Sequence, residues 1–321
     1  MAENIETVLL LALPASGKSE VRRYLSHLTA QQCRSEFHLG PTTQLDDFPY
    51  VHLMRRIDDE LERCGKPRVF FHSSQRPFIN ELDWGTLIHL VNEDYRDLVA
   101  KHAARPSSAA ELLFDRIDSA GKKASIAPRL RTLEPSLLRE AAAALEREAA
   151  ELLDDKHKNY PESLKGRTLV IEFARGGPQG ACFPLPKGLG YRYSLSQLEP
   201  DILSKASILY VWVTPEESRR KNLARTDPND PGSILHHGVP EEVMRHDYGV
   251  DDMDWLETQS QTPKTLEVKA GGRTFKLPVA RFDNRSDKTS FLREDPSRWP
   301  AAQVRAVHEG LKAAFDELAG S

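Results

Sequence analysis

Thr7–Ser19 reads TVLLLALPASGKS. Seven residues, Thr7 to Leu13, form a short apolar run that Pro14 ends. Its length and flanks predict a strand buried on both faces, as in a parallel sheet. From Lys18 the period changes, and Val21, Tyr24, Leu25 and Leu28 share one helical face. Between strand and helix lies Ala12-Leu13-Pro14-Ala15-Ser16-Gly17-Lys18-Ser19. It fits the phosphate-loop pattern Gly-x-x-x-x-Gly-Lys-Ser/Thr at every position but the first, where Ala12 stands. The physical logic survives that change. Backbone N–H groups curve round a phosphate, although Pro14 offers none. Gly17 permits the sharp turn beside the anion, and Lys18 can reach the β- and γ-phosphates. The Ser19 hydroxyl can hold Mg²⁺, and the following helix points its N-terminus at the phosphates.

Strands and helices alternate along the rest of the chain. A second strand is expected at Glu36 to Leu39, ended by Gly40 and Pro41. A helix follows from about Tyr50 to Cys64, with Gly65 as its stop. Arg68 to His72 reads as a short strand, and Asp83 to His102 as a long helix with Asp83 as N-cap. Residues 104–166 are rich in Ala, Glu, Arg and Leu, and Leu138, Ala141, Ala142, Leu145, Ala149 and Leu152 recur at helical steps. They predict a helical insertion packed on the main sheet.

Arg167 to Phe173 and Ser207 to Val213 are strong strands, with a helix at Leu195 to Lys205 between them. Pro215 to Arg225 is helical and basic, Asp227 to Gly238 is loop, and Pro240 to His246 is a short helix. Thr265 to Lys269 and Arg273 to Leu277 form a hairpin, Val279 to Phe282 a last core strand, and Ala301 to Leu318 a closing amphipathic helix. The expected fold is α/β: a parallel sheet with helices on both faces, one domain over residues 1–321.

Composition narrows the partners. The chain has 321 residues, 44 basic and 48 acidic, for a net charge of −4. That balance gives no footprint for nucleic acid or a membrane surface. Cys33, Cys64 and Cys182 are far apart and fit neither a zinc spacing nor a disulfide framework. The longest apolar run, Val8 to Ala15, is far short of the roughly 18 residues a membrane span needs. Glu3 and Glu6 precede it with no Lys or Arg, the wrong charge for a secretory leader. A cytoplasmic protein is expected.

Switch-GTPase and ABC-type signatures are absent: Asp118-Ser119-Ala120-Gly121 fits Asp-x-x-Gly only inside the helical insertion. The chain resembles the P-loop kinases of the nucleoside- and nucleotide-monophosphate-kinase class. The phosphate loop carries the likeness, and weaker matches follow along the chain, outside the helical insertion. The resemblance implies ATP and Mg²⁺ as cofactors, bound through Pro14, Ala15, Ser16, Gly17, Lys18 and Ser19. It implies a carboxylate after the second strand that meets the phosphoryl acceptor, here Asp47 or its neighbour Asp46, with Asp47 ahead. Glu172, at the end of the strand Val170-Ile171-Glu172-Phe173, matches the second acidic position, a Mg²⁺ ligand or base. Arg175 follows it as a candidate phosphate ligand. A carboxylate inside so apolar a run is costly unless it has a task.

The same likeness implies a lid over residues 215–250 whose Arg219, Arg220 and Arg225 close on the phosphates. Glu216 and Glu217 offer these arginines ordinary salt bridges instead, and His236 and His237 read as lid surface. Asn284, after the last strand, matches the loop that lies against the nucleotide base. The expected activity is transfer of the ATP γ-phosphoryl group to a small-molecule acceptor. The competing readings are a regulatory ATP-binding module with the insertion as partner surface, and a kinase acting on a macromolecule.

Overall fold

The structure is a computed structural model that describes residues 4–225 and 238–320. The chain opens with β1 (Thr7–Leu11), α1 (Lys18–His27), α2 (Ala30–Phe37) and β2 (Thr42–Asp46). Four helices follow: α3 (Phe48–Arg63), α4 (Asp83–Ala100), α5 (Ala109–Lys123) and α6 (Pro135–Lys158). Then come β3 (Thr168–Phe173), α7 (Gly190–Ser196), α8 (Pro200–Leu203), β4 (Ala206–Trp212) and α9 (Pro215–Arg225). The chain closes with α10 (Glu241–His246), α11 (Met253–Gln259), β5 (Thr265–Ala270), β6 (Arg273–Asp283) and α12 (Ala301–Ala319).

The six strands form one sheet in the order β2-β3-β1-β4-β6-β5. Neighbours are parallel except β5, which pairs antiparallel with β6. Alternate residues of the buried strands supply two apolar layers. Val8, Leu10, Val170, Leu209 and Phe282 pack against α1 and α12 on one face. Leu9, Leu11, Ile171, Ile208 and Val279 pack against α4, α7, α8 and α11 on the other. Helices α3 to α6 add a third cluster, with Ile57, Leu61, Leu87, Leu113, Leu145 and Ala149 in its interior. The expected insertion is a helical pair, α5 and α6, but it rests on α3 and α4 rather than on the main sheet.

Several local expectations are corrected. Glu36 lies in α2, not in a strand. Thr29 and Gln32 form a reciprocal cap that starts this helix, the Gln32 N–H donating to Thr29 Oγ1 at 3.2 Å and the Thr29 N–H to Gln32 Oε1 at 3.1 Å. The strand begins only after Gly40-Pro41. Arg68 to His72 is not a strand, because the Asp58 carboxylate takes the N–H groups of Val69, Phe70 and Phe71. The helix expected at Leu195 to Lys205 is two short ones. Glu199, forced extended by Pro200, breaks it. Asp83 is no N-cap: it sits in the first turn of α4 and pairs with Arg129 at 2.6 Å. The hairpin's second arm and the last core strand are one strand, β6, running unbroken through Pro278. Helix α11 is an element the sequence pattern did not signal.

Candidate functional site

All five parallel strands end at one edge of the sheet, where ligands of open α/β sheets bind. The loop after β1 lies there. It reaches a left-handed conformation at Ala15 (φ 53°) and at Gly17 (φ 108°), and α1 starts at Lys18. Gly17 is required twice over. Besides its φ, an added Cβ would lie 2.5 Å from Thr289 Oγ1 and 2.7 Å from Asn284 Nδ2. Lys18 is buried, with Nζ 3.4 Å from the Ala12 carbonyl oxygen. Ser19, one residue on, is exposed. The Ser16 hydroxyl is buried and makes no hydrogen bond among the described residues.

Asn284 is fully buried and meets this loop directly. Its Nδ2 donates to the Ser16 carbonyl at 2.6 Å and to Thr289 Oγ1 at 2.8 Å, and its Oδ1 accepts the Lys288 N–H at 2.7 Å. From the other side, the Ser218 hydroxyl on α9 donates to the Pro14 carbonyl at 2.7 Å. Neither contact has a short-range sequence signal, since more than 200 residues separate the partners.

The carboxylates gather next to the loop. Glu172 on β3 is in register with Leu10 on β1 and with Asp46 on β2. Its Oε2 lies 3.2 Å from Arg22 Nε, and Arg22 stands one helical turn beyond Lys18 on α1. That spacing was a readable signal, four residues along one helix face, which the sequence reading did not use. Asp46 is half-buried, and its Oδ1 accepts the Phe48 N–H at 2.8 Å. Burial, then the charges of Glu172 and Asp47, push the Asp46 carboxyl up to about 7.

Asp47 and Arg175 form a different unit. Both are buried, with Arg175 Nη2 2.6 Å from Asp47 Oδ2. Arg175 Nε donates to Ser194 Oγ at 2.7 Å and Nη1 to the Ala174 carbonyl at 2.6 Å, and the guanidinium lies 4.6 Å from the Trp84 ring. The structure thus places Arg175 inside the core rather than at the surface where an acceptor phosphate would arrive.

On α9, Arg219 pairs with Glu216 at 3.0 Å, and Arg220 pairs with Glu217 at 2.7 Å and Asp287 at 3.1 Å. Both have taken the salt-bridge option of their own helix. The unexpected member is Lys221, buried, with Nζ 2.7 Å from Asp287 Oδ1. The Arg225 side chain, His236, His237 and the rest of residues 226–237 lie outside the described residues. So does most of the expected lid loop.

Among the described residues no group of three or more His, Cys, Asp and Glu side chains is placed to hold a metal ion. What the edge offers a cation is the exposed Ser19 hydroxyl and the Glu172 carboxylate, hard oxygen donors of the kind Mg²⁺ takes alongside phosphate and water. A groove of about 780 Å³ lined by Thr42, Gln44, Lys165 and Arg167 opens at the amino ends of β2 and β3, the opposite edge of the sheet. It is no part of this site.

Fold and site together define an α/β protein with a six-stranded, mostly parallel sheet flanked by helices. No protein-family model and no curated protein matches the sequence. Among the described residues no helix is long and apolar enough to cross a membrane.

Proposed function

We propose that this protein is an ATP-dependent phosphotransferase acting on a hydroxyl of a small molecule. The observation that carries the reading is the convergence at one sheet edge of the Gly17-Lys18-Ser19 turn and the Asp46–Glu172 pair, with β1 adjacent to β3. The triphosphate of ATP would lie over the loop, with Lys18 and the N-terminus of α1 facing its charge. Ser19 and Glu172 would hold Mg²⁺, directly or through water, and the ion would offset charge between the β- and γ-phosphates.

Asp46 is the proton acceptor we favour over Asp47, because Asp47 is committed to Arg175 in the core. The acceptor hydroxyl gives its proton to Asp46 as its oxygen bonds to the γ-phosphorus. The bond from that phosphorus to the β–γ bridging oxygen breaks, and ADP leaves. Positioning and charge stabilisation supply most of the rate enhancement in such a reaction. Arg219 and Arg220 join only by exchanging Glu216 and Glu217 for phosphate.

The test is ADP release from Mg·ATP with pooled nucleosides, nucleotides, sugars, polyols and aminoglycosides, with Lys18→Ala as control. Release above that control with at least one pool is the expected result. ATP binding without any acceptor-stimulated release would favour the regulatory module instead.

A further inference from the structure

Two carbonyls of the loop are held by side chains from distant parts of the chain. The Pro14 carbonyl accepts from Ser218 and the Ser16 carbonyl from Asn284. Both peptide bonds that carry them are trans, since the one cis bond among the described residues is Phe183-Pro184. A trans peptide sends its C=O and N–H in opposite directions. Fixing the Pro14 carbonyl toward α9 therefore turns the Ala15 N–H away from α9. Fixing the Ser16 carbonyl toward β6 likewise turns the Gly17 N–H away from β6. Neither N–H is taken by an acceptor among the described residues. The buried Ser16 hydroxyl beside them also has no hydrogen-bond partner among the described residues.

Resting on the phosphate-loop reading above, we infer that Asn284 and Ser218 are positioning residues that set the Gly17 and Ala15 amides for the phosphate chain. Asn284 is thereby not a contact for the nucleotide base. It acts through the Ser16–Gly17 peptide, and its amide is spent on Ser16, Thr289 and Lys288. The device is stiffened twice. Asp287, three residues past Asn284, anchors Lys221 of α9, so the two clamps on the loop are tied to each other. Thr289 fills the space above Gly17 that a Cβ would occupy. Donors already oriented before the anion arrives need no rearrangement on binding, which is where such clamps gain affinity.

Two probes separate this role from a base contact: ATP, and tripolyphosphate, which has no base. Affinities are measured by calorimetry for wild type, Asn284→Ala, Ser218→Ala and Ser218→Thr. Each alanine variant should weaken both probes by the same factor, about tenfold for one lost oriented donor. Ser218→Thr keeps the hydroxyl and should bind as wild type does. Circular dichroism confirms that each variant is folded. If Asn284→Ala should happen to be unfolded, Ser218→Ala with its threonine rescue carries the test alone. Loss of ATP affinity with tripolyphosphate unchanged, or no change in either, overturns the inference. A folded wild type that binds neither probe overturns the phosphate-loop reading itself, and the inference with it.

Discussion

Asp46 and Asp47 are adjacent in sequence, and the turn into α3 sends them to different surroundings. Asp47 is buried against the Arg175 guanidinium. Asp46 stays at the strand end, facing the Glu172 carboxylate across the β2–β3 register. Burial, then the neighbouring charges of Glu172 and Asp47, hold its carboxyl up at about 7. The consequence for stability has a definite sign. Its carboxyl sits above the unfolded value of 3.8, so the native state binds a proton that the unfolded chain releases between about pH 4 and 7. The associated stability is complete below about pH 4 and is lost as pH rises through 7. Asp46→Asn removes the charge that would otherwise appear. It should gain roughly 1–2 kcal/mol over wild type at pH 8, after allowance for solvent at a half-buried group. The gain should shrink to nothing near pH 4. Urea unfolding at the two pH values measures it, and an equal difference at both would refute the assignment.

Helices α3 to α6 are joined by irregular segments whose backbone donors are met by carboxylates. Asp58 on α3 takes the N–H groups of Val69, Phe70 and Phe71. Asp118 on α5 takes those of Arg129, Leu130 and Arg131. Glu146 on α6 accepts from the Ala109 and Ala110 N–H groups at the start of α5 and from the Ser108 hydroxyl, which hold its carboxyl below the usual range. Each helix thereby fixes a connection that has no ladder of its own. Asp118→Ala leaves three donors around a partly buried turn. It should cost about 2 kcal/mol, read as a lower urea midpoint at unchanged slope. A midpoint within error of wild type would mean that water replaces the carboxylate without loss.

These links explain what the sequence made legible at this level. Strong strands such as Thr168–Phe173 announce themselves by composition, and α6 by its repeated Leu and Ala steps. The 68–72 segment misleads because its apolar residues resemble a strand, while the carboxylate that claims its N–H groups lies ten or more residues upstream. Helix α2 was missed although its capping pair, Thr29 and Gln32, stands in the sequence at the proper spacing. Strand β2 reads Thr-Thr-Gln-Leu-Asp, with one apolar residue, so it has no apolar run to announce it, and the strand is expected a few residues early, at Glu36 to Leu39.

For the whole molecule, the sequence implied alternating strands and helices but not the strand order, because register depends on partners far away. The candidate site divides the same way. Its loop was legible since the eight residues are contiguous and each has a local physical reason. Its braces were not: Ser218, Asn284 and Thr289 reach the loop, and Lys221 reaches Asp287, only once β4 stands beside β1 and β6 beside β4. The near-balanced net charge, too, hides the guanidinium and ammonium groups of Arg22, Lys18 and Lys221 around one sheet edge.

The placement of α3 to α6 between β2 and β3 also sets an order in time. About 120 residues separate Asp46 from Thr168, yet these strands lie side by side. Closing so long a loop from the open chain costs about 4 kcal/mol of chain entropy beyond a constant. Once α3 to α6 have condensed, the two ends are already near each other and most of that cost has been met by contacts within the helices. Pulsed hydrogen exchange during refolding should show amides of α4 to α6 protected before those of β2 and β3, with simultaneous protection as the contrary result. The Asp46–Glu172 pair would then be among the last contacts to form, so a partly folded chain could carry intact helices while these two carboxylates are still far apart.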